Sequence, residues 1–245
     1  MTERSKSEPW RLAALRHATE CFPAEACGLL IVERGRHVFV PARNRATGHG
    51  HFILDPQDYA AAECRGEILA VVHSHPNLPP EPSEADRVAC EVSGLPWQIV
   101  SVPAGTWCII EPSGYVAPLV GRTWSHGVLD CYALIRDWYR LERGIVLPDR
   151  GRDDEWWLRG QNLYLDWYER DGWRRINISD DKRPDEFCAG DVLLMQIGAP
   201  VPNHAAIWLG DGTILHHLSN RLSTRDVFGG YYRKHTTHVL RFTTA

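Results

Sequence analysis

No stretch of the 245-residue chain approaches the roughly 20 uninterrupted apolar residues of a membrane span, so a transmembrane segment is not expected. Basic charge is not in excess either: 27 Lys and Arg against 31 Asp and Glu leave a net charge of -4, with no long basic run. A nucleic-acid groove or an affinity for anionic membranes is therefore not expected. Internal repeats and low-complexity tracts are missing, which sets aside solenoids and disordered arrays. From the polar start over Met1 to Pro9, a protein made in soluble form in the cytoplasm is expected. The seven cysteines (Cys21, Cys27, Cys64, Cys90, Cys108, Cys131, Cys188) are odd in number, scattered and mostly set in apolar segments. They read as reduced core thiols rather than a disulfide framework.

The length accommodates one large domain or two small ones with separate cores. Hydrophobic periodicity in the first half predicts a helix over Ser7 to Cys21, then strands over Cys27 to Val32, His37 to Val40 and His51 to Leu54. A short helix over Gln57 to Cys64, a buried strand over Ile68 to His75 and a Pro-rich loop over Asn77 to Pro82 follow. A helix over Ser83 to Ser93 and strands over Trp97 to Val102 and Trp107 to Glu111 complete the unit. Residues Glu111 to Gly121 mix Pro, Gly and small side chains, as a linker does. The expected division is 1–113 and 114–245. Downstream, a helix is expected from Asp130 to Arg140, an aromatic-rich connection to Trp173, and strands over Val192 to Ile197, Ala205 to Leu209, Thr213 to His217 and Val239 to Phe242. The Trp-rich stretch from Trp156 to Trp173 reads as core and domain packing, with a sugar-binding surface as the second reading.

Two constellations carry chemistry. His73 and His75 sit two apart at the end of an apolar strand, so strand alternation turns both imidazoles to one side. Asp86, in the first turn of the next helix, is placed to supply a carboxylate as third ligand, leaving the fourth tetrahedral position of a zinc ion for water. Glu25, just ahead of the Cys27 strand, is the candidate base, and Ser83 a candidate hydrogen-bond donor to an oxyanion. Ser83 and Asp86 also fit a capping box at a helix start, which requires no metal.

This spacing resembles the JAMM (MPN-plus) metallopeptidase signature: Glu25 upstream, then His73-Ser74-His75, seven residues, Ser83, two residues, Asp86. The resemblance covers roughly residues 8 to 111. It implies an α/β fold, one zinc ion held by His73, His75 and Asp86, and cleavage of peptide or isopeptide bonds.

The second constellation is a thiol. Cys131 follows Asp130 at the start of a helix, where the positive end of the dipole favours thiolate. His204 and His216 lie six residues either side of Gly210, so a hairpin centred there sets them opposite each other on one face. His204 is then the base for Cys131, His216 the group that orients it, and His217 points the other way. The pattern resembles the NlpC-type cysteine peptidases over about residues 121 to 245. It implies an α+β papain-like domain that cleaves peptides of the bacterial cell wall. Trp124 stands where those enzymes usually carry a Tyr, and Tyr132 where a small residue usually follows the Cys.

A JAMM-type domain followed directly by an NlpC-type domain resembles the tail-assembly proteins of lambda-like bacteriophages. That implies a virion tail-tip component, made in the host cytoplasm, with other tail-tip proteins as partners, that either hydrolyses host peptidoglycan during entry or processes a partner while the tail is built. Two further readings are a structural tail plug with masked centres, favoured if the aromatic segment buries Cys131, and a cytoplasmic peptidase acting on ubiquitin-like tags.

Overall fold

The computed structural model describes residues 8–48, 50–179 and 181–243, so Ser7, the expected first residue of the first helix, lies outside them. The chain divides into two compact units, Met1–Val116 and Ala117–Ala245.

In the first unit a five-stranded sheet has the order β2-β1-β3-β4-β5, formed by β1 (Cys27–Glu33), β2 (Arg36–Ala42), β3 (Glu67–Pro76), β4 (Trp97–Val102) and β5 (Trp107–Ile110). Only β3 and β4 pair in parallel, because α3 (Glu84–Ser93) carries the chain across between them. Both faces of the sheet are covered. Helix α1 (Pro9–Cys21) sets Trp10 and Ala14 against Leu30, Phe39, Ala70 and Val72. On the other face Ala62 of α2 (Pro56–Arg65) and Cys90 of α3 pack with Leu29, Ile31, Val71 and Trp97. Alternation along β3 puts Ala70 and Val72 on one side and Val71 on the other, and His73 and His75 continue the Val71 side.

The strand expected over His51 to Leu54 does not form. Leu54 makes one isolated bridge to Asn44, flanked by backbone bonds from Arg45 N to the Ile53 carbonyl (2.8 Å) and from Asp55 N to the Arg43 carbonyl (3.1 Å), and a side chain completes the pairing: Asn44 Oδ1 accepts from Ile53 N at 3.0 Å, and its amide donates to the carbonyls of His51 (3.2 Å) and Glu25 (3.0 Å). A side chain standing in for a neighbouring strand satisfies the backbone without a ladder.

In the second unit α4 (Cys131–Arg143) lies on an antiparallel sheet of order β10-β9-β8-β7-β11-β6. Its strands are β6 (Trp173–Ile176), β7 (Val192–Met195), β8 (His204–Trp208), β9 (Thr213–His216), β10 (Thr224–Val227) and β11 (Thr236–Phe242). Leu134, Ile135, Trp138 and Tyr139 form the helical stripe that meets Val192, Leu194, Ala205, Ile207, Leu215 and Leu240. Leu193, Met195, Ala206, Trp208 and Ile214 bury the opposite face with Phe187 and Phe228. Strands β6 and β10, and the short helices α5 (Leu163–Trp167) and α6 (Gly230–His235), were not expected from periodicity. Each is 4 to 6 residues long, too short for a period to register.

All seven cysteines are free thiols, and two of them, Cys64 and Cys188, are exposed rather than in a core.

Candidate active sites

The N-terminal site is built by the end of β3 and the start of α3. His73 Nε2 lies 3.2 Å from His75 Nε2 and 3.2 Å from Asp86 Oδ1, and His75 Nε2 lies 3.4 Å from Asp86 Oδ2. All three residues are buried, and one ligand atom from each lies within 4.8 Å of the others. His75 Nδ1–H donates to the Pro79 carbonyl at 3.0 Å, which leaves its Nε2 lone pair for the cluster. His73 is wedged between Phe52, stacked at 4.9 Å, and the edge of Trp97 at 5.3 Å. Burial lowers the affinity of His73 for a proton against the pull of Asp86, keeping the ring neutral and its lone pair available.

The capping box and the metal geometry are not alternatives. Ser83 Oγ accepts from Asp86 N at 3.1 Å, while Asp86 Oδ2 accepts from Ser83 N and from the Ser83 hydroxyl, each at 2.7 Å. The same capping contacts that start α3 aim the carboxylate at the imidazoles. Burial opposes the charge of Asp86, yet His73, His75 and Ser83 hold its carboxyl well below the ordinary range. In this arrangement the Ser83 hydroxyl proton is directed at Asp86. Glu25 is half-buried, and burial pushes its carboxyl up to about 7, with His75 pulling it down and Asp86 pushing it further up. Two imidazole nitrogens and a carboxylate with one ligand atom each so close together suit a divalent cation, which would relieve the contact between the two Nε2 atoms.

The second site begins at the N-terminus of α4. Asp130 caps the helix: its Oδ1 accepts from Ala133 N (2.9 Å) and its Oδ2 from Gly127 N (2.9 Å). Arg152 closes on the same carboxylate as a fork, Nε at 2.9 Å and Nη2 at 3.2 Å. The guanidinium also lies 4.9 Å over the Tyr132 ring. Burial works against the Asp130 charge, but Arg152 and the helix amides keep its carboxyl below the ordinary range. Cys131, the first residue of the helix, is thereby fixed in place.

The thiol is not the standing thiolate that the helix terminus favours. Burial, and next the Asp130 charge, push Cys131 up to about 11, against hydrogen bonds from the Tyr164 phenol and the Ala205 backbone. Desolvation outweighs the dipole because only 6% of the residue is exposed. Cys131 Sγ and Tyr164 Oη are 3.2 Å apart, and among the described residues the sulfur makes no hydrogen bond to His204. Both Cys131 and His204 line one cavity of about 270 Å³, together with Trp124, Trp156, Trp157 and Tyr164. The Trp-rich stretch thus packs, with Trp156 buried, and also walls the thiol site.

His204 and His216 do meet, by another register. Strand β9 places His216 opposite Ala206, not His204, so the two imidazoles are diagonal neighbours, with His204 Nε2 3.1 Å from His216 Nδ1. The hairpin is centred one residue later than Gly210. His216 Nε2 lies 3.1 Å from Asp226 Oδ2 on β10, and Tyr232 Oη donates to that same oxygen at 2.5 Å. Burial, and next the neighbouring imidazoles His216 and His217, lower His204 to about 3, so it is neutral at rest. His217 turns away and packs edge-on against Trp124 at 5.1 Å. Sequence reasoning missed Arg152, Tyr164, Asp226 and Tyr232, which reach the site from separate segments.

Residues 7–113 match the model for prokaryotic homologues of the JAB domain, and residues 120–241 match the NlpC/P60 family, which makes the chain a fusion of these two domain types in that order. It is 38% identical over 232 residues to the tail tip assembly protein K of Escherichia phage N15, covering 94% of this chain and 93% of that protein. It is 45% identical over 188 residues to the tail tip assembly protein K of Escherichia phage lambda, covering 77% and 88%. The chain belongs to the tail tip assembly protein K family of phages. Among solved structures, a JAB1/MPN domain protein from Archaeoglobus fulgidus is 22% identical over 44% of this chain and 90% of that one, with a TM-score of 0.30. The two family resemblances read from the sequence, and their order, are borne out.

Proposed function

We propose that this phage tail tip assembly protein is a two-centre peptidase of the virion tail tip. In this reading Cys131, His204 and His216 cleave the peptide stems of bacterial peptidoglycan, and Glu25, Ser83, His73, His75 and Asp86 form a zinc-dependent peptidase or isopeptidase centre. The observation that supports the thiol half is the single cavity lined by Cys131, His204 and Tyr164. Other tail-tip proteins are the proposed partners, in keeping with the name of the phage relatives.

The resting pair is neutral on both sides. Burial penalises either charge alone, whereas a thiolate and an imidazolium formed together remain partnered, so the proton moves as the sulfur attacks. Sγ bonds to the scissile carbonyl carbon, and the thiol proton passes to His204 Nδ1, the nitrogen left over by the contact to His216. That proton then goes to the leaving amine as the C–N bond breaks, and water hydrolyses the thioester. The Tyr164 phenol is the donor nearest the sulfur and is placed to hydrogen-bond the developing oxyanion, the task left without a phenol when Trp124 occupies the upstream position.

In the N-terminal centre His73, His75 and Asp86 would hold the ion. A bound zinc supplies Lewis acidity and an acidified water. Glu25, with its carboxyl near 7, exchanges a proton close to neutral pH, which suits a general base.

The test is digestion of purified murein by the wild-type protein and by Cys131→Ala, with products identified by mass spectrometry. Stem-peptide fragments from the wild type alone are expected. Equal yields from both, or none from a folded wild type, would reject the thiol endopeptidase. The second outcome would favour a tail plug with a masked thiol, a reading that draws on the burial of Cys131 beside Trp156 and Tyr164.

A further inference from the structure

Strands β8, β9 and β10 lie side by side, and their registers align Ala206, His216 and Thr224 in one row. His204 precedes Ala206 by two residues and Asp226 follows Thr224 by two, so side-chain alternation places His204, His216 and Asp226 on one face along a diagonal. The contacts run His204 Nε2 to His216 Nδ1 at 3.1 Å and His216 Nε2 to Asp226 Oδ2 at 3.1 Å. Two further groups hold the carboxylate, the Tyr232 hydroxyl at 2.5 Å and the more distant Arg221 guanidinium at 3.7 Å.

We propose that Asp226 is a positioning residue that sets the proton order of the histidine pair, so that the His204 nitrogen not engaged with His216 is a free lone pair. The proposal rests on the reading of Cys131 and His204 as nucleophile and base. An ionised carboxylate only accepts, so the contacting nitrogen of His216 must be the donor. A neutral imidazole carries one N–H, hence His216 Nδ1 accepts. The hydrogen on that bond then belongs to His204 Nε2, and His204 Nδ1 is left without one. Every link points the same way, from base to carboxylate, and reversing the last link reverses them all. A proton on Nδ1 would leave His204 unable to take one from the thiol. Both rings are kept from protonating by burial, and Tyr232 and His216 hold Asp226 ionised despite its own partial burial, so the single-proton count applies near neutral pH.

The experiment is long-range ¹H–¹⁵N correlation on full-length protein labelled at histidine nitrogens, which reads the tautomer of each ring from its two nitrogen shifts. It is run on the wild type, Asp226→Ala and the near-isosteric Asp226→Asn, beside kcat and KM for murein cleavage. The wild type should show Nε2–H at both His204 and His216. Losing the carboxylate should mix the tautomers at both rings and lower kcat by about tenfold or more, with KM little changed. Asp226→Glu should restore part of both. An Nδ1–H tautomer at either ring of the wild type, or variants whose shifts and kcat match the wild type, would overturn the proposal. The tautomer pattern is read whether or not murein is cut, so a wild type that shows the ordered pair yet leaves murein intact rejects the endopeptidase and not the proton order.

Discussion

Alkylation of Cys131 in the resting protein should be slow at neutral pH and should accelerate steadily with alkali. With the thiol at about 11, roughly 1 in 10⁴ molecules carries thiolate at pH 7, against about 3% for an ordinary cysteine near 8.5. That is a deficit of about 300-fold. A more basic thiolate is a better nucleophile, with a Brønsted slope of about 0.4–0.5, which returns roughly 10-fold to 20-fold over the 2.5-unit difference. The expected net rate is therefore about 15-fold to 30-fold below that of a free cysteine, before any hindrance from the cavity walls. A short iodoacetamide pulse followed by peptide mass spectrometry ranks Cys131 against the exposed Cys64 and Cys188 in the same molecule. Because steric shielding slows the reaction at every pH alike, the slope carries the argument. The rate should rise about tenfold per pH unit and level off only near pH 11. A rate already level between pH 6 and 8 would mean a standing thiolate paired with imidazolium, and would refute the claim that burial governs the resting thiol.

Arg152→Met should destabilise the C-terminal unit by about 3–5 kcal/mol, lowering its calorimetric midpoint by roughly 10–20 °C, because both side chains of the pair are nearly inaccessible and Asp130 is left charged without a partner. Adding Asp130→Asn, which keeps a competent helix cap, should recover much of the loss; no recovery would point to lost packing over Tyr132 instead. Tyr164→Phe should lower kcat for murein cleavage by about 100-fold with KM nearly unchanged, and an unaltered kcat would remove the phenol from the mechanism. His75→Ala should abolish stoichiometric zinc, measured by elemental mass spectrometry, while Cys131→Ala retains it. Murein cleavage should show the reverse pattern, and loss of both properties in both variants would contradict separate centres.

How much of this was legible in the sequence depends on how far apart the cooperating residues stand. The cluster of His73, His75 and Asp86 was readable because its parts are local: an i, i+2 pair on one strand, and the third helical residue of a capping box eleven residues beyond His75. Even the ambiguity there dissolved on geometry, since Asp86 caps α3 and faces the imidazoles with one carboxylate. The histidine pair was found for a partly wrong reason. Spacing about Gly210 suggested a directly opposed pair, whereas the ladder sets His216 against Ala206, and the rings meet only because diagonal neighbours on a twisted sheet come within reach of aromatic side chains. The dipole argument for Cys131 is outweighed by burial, because a sequence shows where a helix starts but not how deeply its first residue is buried.

What stayed hidden was everything brought by a third segment. Tyr164 reaches the sulfur from 33 residues downstream, Arg152 reaches Asp130 from 22, and Asp226 approaches from a four-residue strand. No short-range pattern links them. In the proposed mechanism these are also the groups on which the chemistry turns, for a thiol and two imidazoles that burial keeps neutral need a donor at one end and a carboxylate at the other before proton transfer has a direction. The motif supplies the reacting atoms, and the folded sheet supplies their polarity. The sharpest consequence is that Asp226→Asn, which alters one atom about two residues along the ladder from the histidine row, should disturb the tautomer of His204 two contacts away while leaving the cap, the cavity walls and the cluster of His73, His75 and Asp86 unchanged.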